Sequence, residues 1–386
     1  MTPHLSIGTL DTLQPAALET PCYLFDPAVV IEDLNGLRDA LGGPVIVSLK
    51  ASPVLDLIVR CNHAFGDGVE IASLGELNLT VGRINVPRIV NTPALDAPLV
   101  AAALASRAML VADSPFQVDL IEAAAAKARA SGRPAPAIVL RLNAMSVLER
   151  RNVPADHFGM DLRTVHRVLD RFGSAASGVT VAGLHVFAGS LTFGQYGIPL
   201  AEALARIVPD LCRYPAAPLE SVTIGAGLPG DWRTASYDFA AYRAALEPLR
   251  ARLSVKHEAG RAVFARSGVF ATRVVAVKDI DGRGIVVCDG GIAHCFPLAQ
   301  TEQIMKRWRT PWLVRASDAQ VAPYAAPRML AVVGNSCNRA DMIGELQATH
   351  APQPGDLLVF EDCGAYHTYS PTGFLNLRQA QRYIAS

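Results

Sequence analysis

Eight short apolar runs, each followed by a stretch with helical patterning, constrain the fold of this chain more than any single motif does. They lie at residues 45–50, 68–73, 88–92, 108–113, 137–143, 181–187, 221–227 and 255–260. The runs are continuous rather than alternating, the pattern of strands buried on both faces, and intervening segments such as Leu120-Ile-Glu-Ala-Ala-Ala-Ala-Lys-Ala-Arg129 read as helices. Strands that alternate with helices form a parallel sheet, and eight such units predict an α/β architecture closed into a (β/α)8, TIM-like barrel. Chemistry in such barrels gathers at the C-terminal ends of the strands. Lys50, Glu70, Arg141, His185, Gly225 and Glu258 all fall at or near such ends.

Past Arg261 the pattern changes to β-rich runs at 263–277, 284–288, 329–333 and 357–360, separated by turn signals such as Asp281-Gly282, Asp289-Gly-Gly291 and Pro354-Gly-Asp356. The expected organisation is a barrel over 26–262 and an antiparallel β-domain over 263–386, joined by residues 1–25 with an opening strand at 22–26. A chain of 386 residues with 51% hydrophobic content fills both cores. Basic and acidic residues balance at 35 each, which leaves no electrostatic footprint for nucleic acid or an anionic membrane surface. The stretch 173–201 carries no charged residue, yet its Ser, Thr, Gln, His, Pro and Gly mark a buried strand with flanking loops rather than a membrane span. Met1-Thr-Pro-His-Leu-Ser has no export signal, so the cytoplasm is expected. Seven cysteines without CxxC spacing read as free thiols, and no metal is expected.

Lys50 closes the apolar run Pro44-Val-Ile-Val-Ser-Leu49, so a strand end carries an ammonium where a turn residue is usual. That placement suits a Schiff-base lysine, the alternative being a solvated lysine on the barrel rim. Val255-Lys-His-Glu258-Ala-Gly-Arg261 brings a carboxylate and a guanidinium to another strand end, for a ligand or for each other. Ile224-Gly225-Ala226-Gly227 gives a small-residue loop after the seventh strand, where barrels commonly bind phosphate through backbone N–H groups. An aldehyde, a ring nitrogen and a phosphate each have a candidate partner, which points to pyridoxal 5'-phosphate.

Read in order, Val47-Ser-Leu-Lys50-Ala-Ser-Pro53, Gly68-Val-Glu-Ile-Ala-Ser73-Leu-Gly-Glu76, His157-Phe-Gly159, Gly183-Leu-His185-Val-Phe187-Ala-Gly-Ser190, Gly225-Ala-Gly227, Glu258-Ala-Gly-Arg261, Cys288-Asp-Gly-Gly291, Gly334-Asn-Ser-Cys337-Asn-Arg-Ala-Asp341 and Gly364-Ala-Tyr366 carry a resemblance. The chain resembles the fold type III pyridoxal-phosphate-dependent decarboxylases, of which diaminopimelate and ornithine decarboxylases are the best known. The resemblance runs over residues 20–376. It implies a barrel with a second, C-terminal β-domain, as in alanine racemase, and a homodimer whose active sites are completed by the partner subunit.

By this resemblance the catalytic residues are Lys50, Glu258 and Cys337. Lys50 is the Schiff-base lysine, and Glu258 accepts the proton-bearing pyridine nitrogen so that the ring withdraws electrons from the substrate carbon. Gly225, Ala226, Gly227, Arg261 and Tyr366 hold the phosphate, and Glu70 belongs to the same cofactor site. Arg141 lies beside the ring or forms a structural ion pair. His185, Phe187 and Ser190 contact ring and phosphate, although His185 fits a hydrogen-bonded core histidine equally well. Cys337 protonates Cα, a job that suits a thiol because its pKa lies near neutrality.

Three departures from the family bear on the substrate. Phe187 stands where the family usually stacks a histidine, which keeps the stacking and removes any proton role. Asn338 and Arg339 follow Cys337 where ornithine and diaminopimelate enzymes place an acidic residue for a distal amino group. Asp289-Gly-Gly-Ile-Ala-His294 lacks the Arg-Pro that often follows Asp-Gly-Gly in diaminopimelate decarboxylases. In these respects the chain is similar to the branch that decarboxylates modified or conjugated amino acids in siderophore and antibiotic assembly, such as a citryl-linked one. Asn338, Arg339 and Tyr366 are the substrate-binding candidates, with Arg339 suited to an anionic far end unless it faces solvent. The alternatives are decarboxylation of free diaminopimelate, ornithine or lysine and, below these, an amino-acid racemase or a non-catalytic cofactor-binding protein.

Overall fold

The structure is a computed structural model describing residues 18–385 apart from 131, 133–134, 150–155, 175–178, 216, 300–307, 318–320 and 370–373. After an opening strand β1 (Cys22–Phe25), eight parallel strands close into the expected barrel: β2 (Val45–Ser48), β3 (Val69–Ile71), β4 (Arg88–Asn91), β5 (Met109–Ala112), β6 (Ala137–Leu142), β7 (Thr180–Phe187), β8 (Ser221–Gly225) and β9 (Ser254–Ala259). Each of the eight apolar runs carries one of them. Continuous burial is the reason the runs do not alternate: every residue of β2 and of β3 is buried. The helices between them present one apolar stripe. In Leu162–Ser174 it is Val165, Val168, Leu169 and Phe172 that are buried, at the i, i+3, i+4, i+7 spacing of one helix face. Ser73, Asp96 and Asp238 cap the helices Leu74–Thr80, Ala97–Ala105 and Phe239–Arg250, each accepting a bond from an amide of the first turn.

The remaining strands, β10 (Gly268–Ile280), β11 (Arg283–Cys288), β12 (Trp312–Val314), β13 (Pro323–Val333), β14 (Met342–His350), β15 (Leu357–Phe360) and β16 (Gln381–Ile384), form one sheet in the order β12-β15-β10-β11-β13-β14, with β1 pairing β10 and β16. Asp281 and Gly282 turn β10 into β11 with φ of 52° and 81°, the left-handed pair of a tight hairpin. Leu18, Cys22, Leu24, Val269, Ala271, Leu357 and Val359 make a core on this sheet.

Three expectations need correction. The sheet is mixed, because β11 pairs β13 and β1 pairs β16 in parallel. The run at 263–277 is not one strand: Arg261–Phe264 is a short helix and Ala265–Ser267 a helical turn before β10 begins, since a short apolar run has no periodicity to distinguish the two. The charge-free stretch ends in the helix Phe193–Leu211 rather than a loop, while residues 175–178 lie outside those described. Among the described residues no helix is long and apolar enough to cross a membrane.

The chain divides into two compact units. One holds the described residues up to Ile31, Ala51–Arg60 and the chain from Phe264 onward, with the sheet; the other holds Glu32–Lys50 and Cys61–Val263, with the barrel.

Candidate functional site

The parallel register decides which side chains meet inside the barrel. Ser48 stands opposite Glu70, Arg141 opposite His185, and Gly225 opposite both Phe187 and Glu258. Lys50 lies just past β2, in the helical turn Leu49–Ala51 rather than on the strand itself. Its Nζ is 3.0 Å from Glu70 Oε1 and 3.6 Å from Glu258 Oε1. The Ser48 hydroxyl donates to the Glu70 carboxylate. On the far side of Glu258, Oε2 lies 3.0 Å from His185 Nε2, which is also 3.2 Å from Asn91 Nδ2.

One ammonium therefore faces two buried carboxylates, and they share its charge unequally. Burial, and then the charge of Glu258, push Glu70 up to about 7 against the pull of Lys50 and Ser48. Burial opposes ionisation at Glu258 as well, but Lys50 and the hydrogen bond from His185 outweigh it and hold that carboxyl well below the usual carboxylate range. His185 is fully buried, and burial lowers its pKa against the attraction of Glu258. We assign the proton of this neutral imidazole to Nε2 from its contact with the carboxylate, which makes Nδ1 an acceptor without a hydrogen-bond partner.

Glu70 makes stability depend on pH in a definite direction. Its pKa rises from 4.5 to about 7 on folding, so between those values the folded chain holds a proton that the unfolded chain has released. The contribution is full below 4.5 and disappears as pH rises through about 7. Glu70→Gln is expected to remove from the cofactor-free protein a loss of up to about 3 kcal/mol over that window. Denaturant unfolding on either side of it checks this, and identical pH slopes in variant and parent would count against it.

Arg141 takes the ion-pair geometry left open above: its Nη1 is 3.0 Å from Asp113 Oδ1, and its guanidinium carbon is 4.3 Å from the ring centroid of Phe158. The Gly159 amide donates to the same Asp113 oxygen at 3.1 Å. A Cβ on Gly159 would lie 2.6 Å from the Leu142 backbone, and φ there is 76°, so the His157-Phe-Gly motif marks a close backbone approach. Ser48, Asn91 and Asp113 were missed as members of this network. Asn91 and Asp113 carried a signal, since each stands at the end of an apolar run, whereas Ser48 lies inside one, two residues before Lys50.

The loop after β8 meets the loop after β7 backbone to backbone. A Cβ on Gly227 would lie 2.6 Å from the Gly189 carbonyl oxygen, and Gly227 has φ of 62°. Exposed Ser190 follows Gly189 in that approach. The Ala226 N–H donates to the Glu258 carbonyl at 2.8 Å. The Phe187 ring lies over Gly225, where a Cβ would come within 2.3 Å of it. Half-buried Arg261 opens the helix that follows Glu258.

Below these residues the barrel is hollow. A cavity of about 910 Å³ opens among Pro44, Pro87, Ala108 and Pro136, at the N-terminal ends of the strands, and reaches Glu70, His185 and Glu258 from beneath. It lies opposite the end that carries Lys50, where barrel chemistry takes place.

The other candidates belong to the sheet unit. Cys337, Asn338 and Arg339 are exposed between β13 and β14. Their turn is held by Asp341, whose carboxylate accepts from the amides of Ile292 at 2.6 Å and Ser336 at 2.9 Å and from the Ser336 hydroxyl at 2.5 Å. Tyr366 is half-buried with φ of 66°, and its amide donates to Ala51 O at 2.7 Å within the same unit.

An amine between two carboxylates at the C-terminal end of a barrel, with a glycine-lined approach of two loops beside it, fits a phosphorylated aldehyde carrying a basic ring nitrogen. Comparison with known proteins agrees. The family described as "Pyridoxal-dependent decarboxylase, C-terminal sheet domain" matches residues 22–364. The chain is 29% identical to a diaminopimelate decarboxylase of Deinococcus radiodurans over 94% of its own length and 90% of the relative's. It is 24% identical to an L-glutamyl-[BtrI acyl-carrier protein] decarboxylase of Niallia circulans over 92% of the chain and 86% of that protein. Among solved structures, the diaminopimelate decarboxylase of Helicobacter pylori complexed with L-lysine shares the fold with a TM-score of 0.78 at 19% identity, over 98% of this chain and 94% of that one.

Proposed function

The chain belongs to the pyridoxal-dependent decarboxylases, carboxy-lyases that use pyridoxal 5'-phosphate, and on that premise we propose that it removes CO2 from a modified or conjugated amino acid with an anionic far end. The observation that carries this reading is the exposed pair Asn338 and Arg339 directly after Cys337, where a diamino-acid enzyme needs an acidic side chain. A carrier-bound glutamyl substrate in the Niallia circulans relative supports it. The second reading, a free diamino acid, is favoured by relatives and structural neighbours named for diaminopimelate, lysine and ornithine.

In the proposed arrangement Lys50 would hold the cofactor, Glu258 would serve its ring nitrogen, the Gly225–Gly227 loop with Ser190 and Arg261 would take its phosphate, and His185 and Arg141 would keep Glu258 and the ring in position. When bound, the cofactor supplies an electron sink for the pair left behind by departing CO2. Glu258 matches that need because Lys50 and His185 already hold it ionised. Cys337 is the proposed proton donor to Cα and Tyr366 a further phosphate and substrate contact, acting in a homodimer that shares its sites. Arg339 is proposed to meet the anionic end of the substrate.

The test is CO2 release by cofactor-loaded protein from ornithine, lysine, arginine, meso-diaminopimelate, and citryl conjugates of serine and diaminopropionate. A conjugate is expected to exceed every free diamino acid by at least about a hundredfold in kcat/KM, because an unpaired ammonium beside Arg339 leaves two like charges facing each other. Preference for a free diamino acid would return the protein to the second reading.

A further inference from the structure

One cluster of ligating side chains plays no part in the reading above. In the sheet unit, Cys295, Cys363 and His367 bring two sulfurs and a ring nitrogen within 4.8 Å of one another. Both cysteines are fully buried, and His367 is only 5% exposed. Their backbones are fixed independently: the Cys295 amide donates to Gly291 O at 2.9 Å, and the Cys363 amide to Gly268 O at 2.8 Å. The Cys363 thiol donates to Glu361 O at 3.3 Å, and the hydroxyl of buried Tyr23 lies 2.8 Å from His294 O and 3.0 Å from His367 O, next to both ligand segments. His367 Nδ1 is 2.6 Å from Ala365 O, a contact in which the ring nitrogen donates and which fixes the imidazole beside the two sulfurs.

We propose that Cys295, Cys363 and His367 form a binding site for a thiophilic d10 cation, with Zn2+ the expected occupant. Two sulfurs and an imidazole are the donors such ions select over Mg2+ or Ca2+, which take oxygen. Metal–ligand bonds of about 2.0–2.3 Å in a tetrahedron place donors about 3.3–3.8 Å apart. The cluster is within about an ångström of that spacing, so side-chain rotation closes it without moving the sheet. Binding forms two Zn–S bonds and one Zn–N bond and releases both thiol protons to solvent. Two thiolates then cancel the charge of the ion, as a buried site demands. An ion there would stitch the turn at Gly291–Cys295 to the Cys363–His367 segment, which carries Tyr366.

The test uses the full chain loaded with pyridoxal phosphate and purified under reducing conditions. After dialysis against limiting Zn2+, metal analysis is expected to find roughly one ion per chain, and zinc-edge X-ray absorption two sulfur neighbours and an imidazole. Cys295→Ser and Cys363→Ser should each reduce retained zinc at least tenfold, and His367→Gln should weaken it, while Cys212→Ser, which alters an exposed cysteine elsewhere, retains it. Titration with Cd2+ should add a sulfur-to-metal absorption that is lost in the same variants. Because absorption spectroscopy is done on the unaltered protein, misfolding of a variant cannot decide the outcome. No zinc retained by the reduced parent, only oxygen and nitrogen neighbours, or a Cys295–Cys363 disulfide found by peptide mapping in place of metal would each overturn the proposal.

Discussion

Lys50→Ala is expected to lower turnover by at least about a thousandfold and to abolish attachment of a pyridoxyl group by borohydride. Two effects combine. The variant loses the nucleophile, and it loses the ammonium 3.0 Å from Glu70 and 3.6 Å from Glu258. Lys50 is the main force that holds Glu258 ionised against burial, so its removal raises that carboxyl and leaves two acids to share one charge. Lys50→Arg separates the effects, since it restores a cation but no nucleophile. If Lys50 acts covalently, Arg is as inactive as Ala, while small exogenous amines recover part of the Ala variant's rate and none of the Arg variant's. Mass spectrometry of the borohydride-reduced parent is expected to place the pyridoxyl group on Lys50. Undiminished labelling of Lys50→Ala would remove Lys50 from the mechanism.

The barrel was legible because burial on both faces leaves a mark in sequence that does not depend on long-range partners: continuous apolar runs at regular intervals. Glu70, Arg141, His185 and Glu258 could be picked out because each interrupts such a run with a titratable side chain toward or near its C-terminal end. Asn91 and Asp113 stand at the ends of two further runs, yet only the register of β4 to β7 shows that one reaches His185 and the other Arg141. The sheet was less legible. Only β1 and β15 are buried throughout, β12 and β16 are only 3 and 4 residues long, and the partners of these two short strands are remote in sequence, so nothing local marks them as strands or sets them parallel or antiparallel. The cysteines illustrate the same limit. Spacing along the chain identifies metal sites whose ligands come in close pairs, whereas Cys295 and Cys363 are brought together by the path of β10 to β15.

Glu258→Gln is expected to lower kcat by about a hundredfold to a thousandfold while KM changes by no more than a few-fold. The amide keeps the shape of the carboxylate and still offers an oxygen to His185, so binding and fold survive. What disappears is the fixed negative charge that Lys50 and His185 maintain deep in the barrel. By keeping a bound cofactor's ring nitrogen protonated, that charge would preserve the ring's capacity to accept the electron pair, and loss of this capacity falls on kcat rather than on KM. The substitution also acts on Glu70, whose pKa is raised by the charge of Glu258 after burial. Without that neighbour Glu70 should titrate lower, and the stability loss assigned to it should move to lower pH in the cofactor-free variant. Steady-state kinetics and unfolding at several pH values therefore report on one carboxylate by independent routes. A variant with full kcat would show that the charge at Glu258 is structural, whereas a lowered kcat with an unchanged Glu70 profile would show that the two carboxylates are not coupled as their shared contact with Lys50 requires.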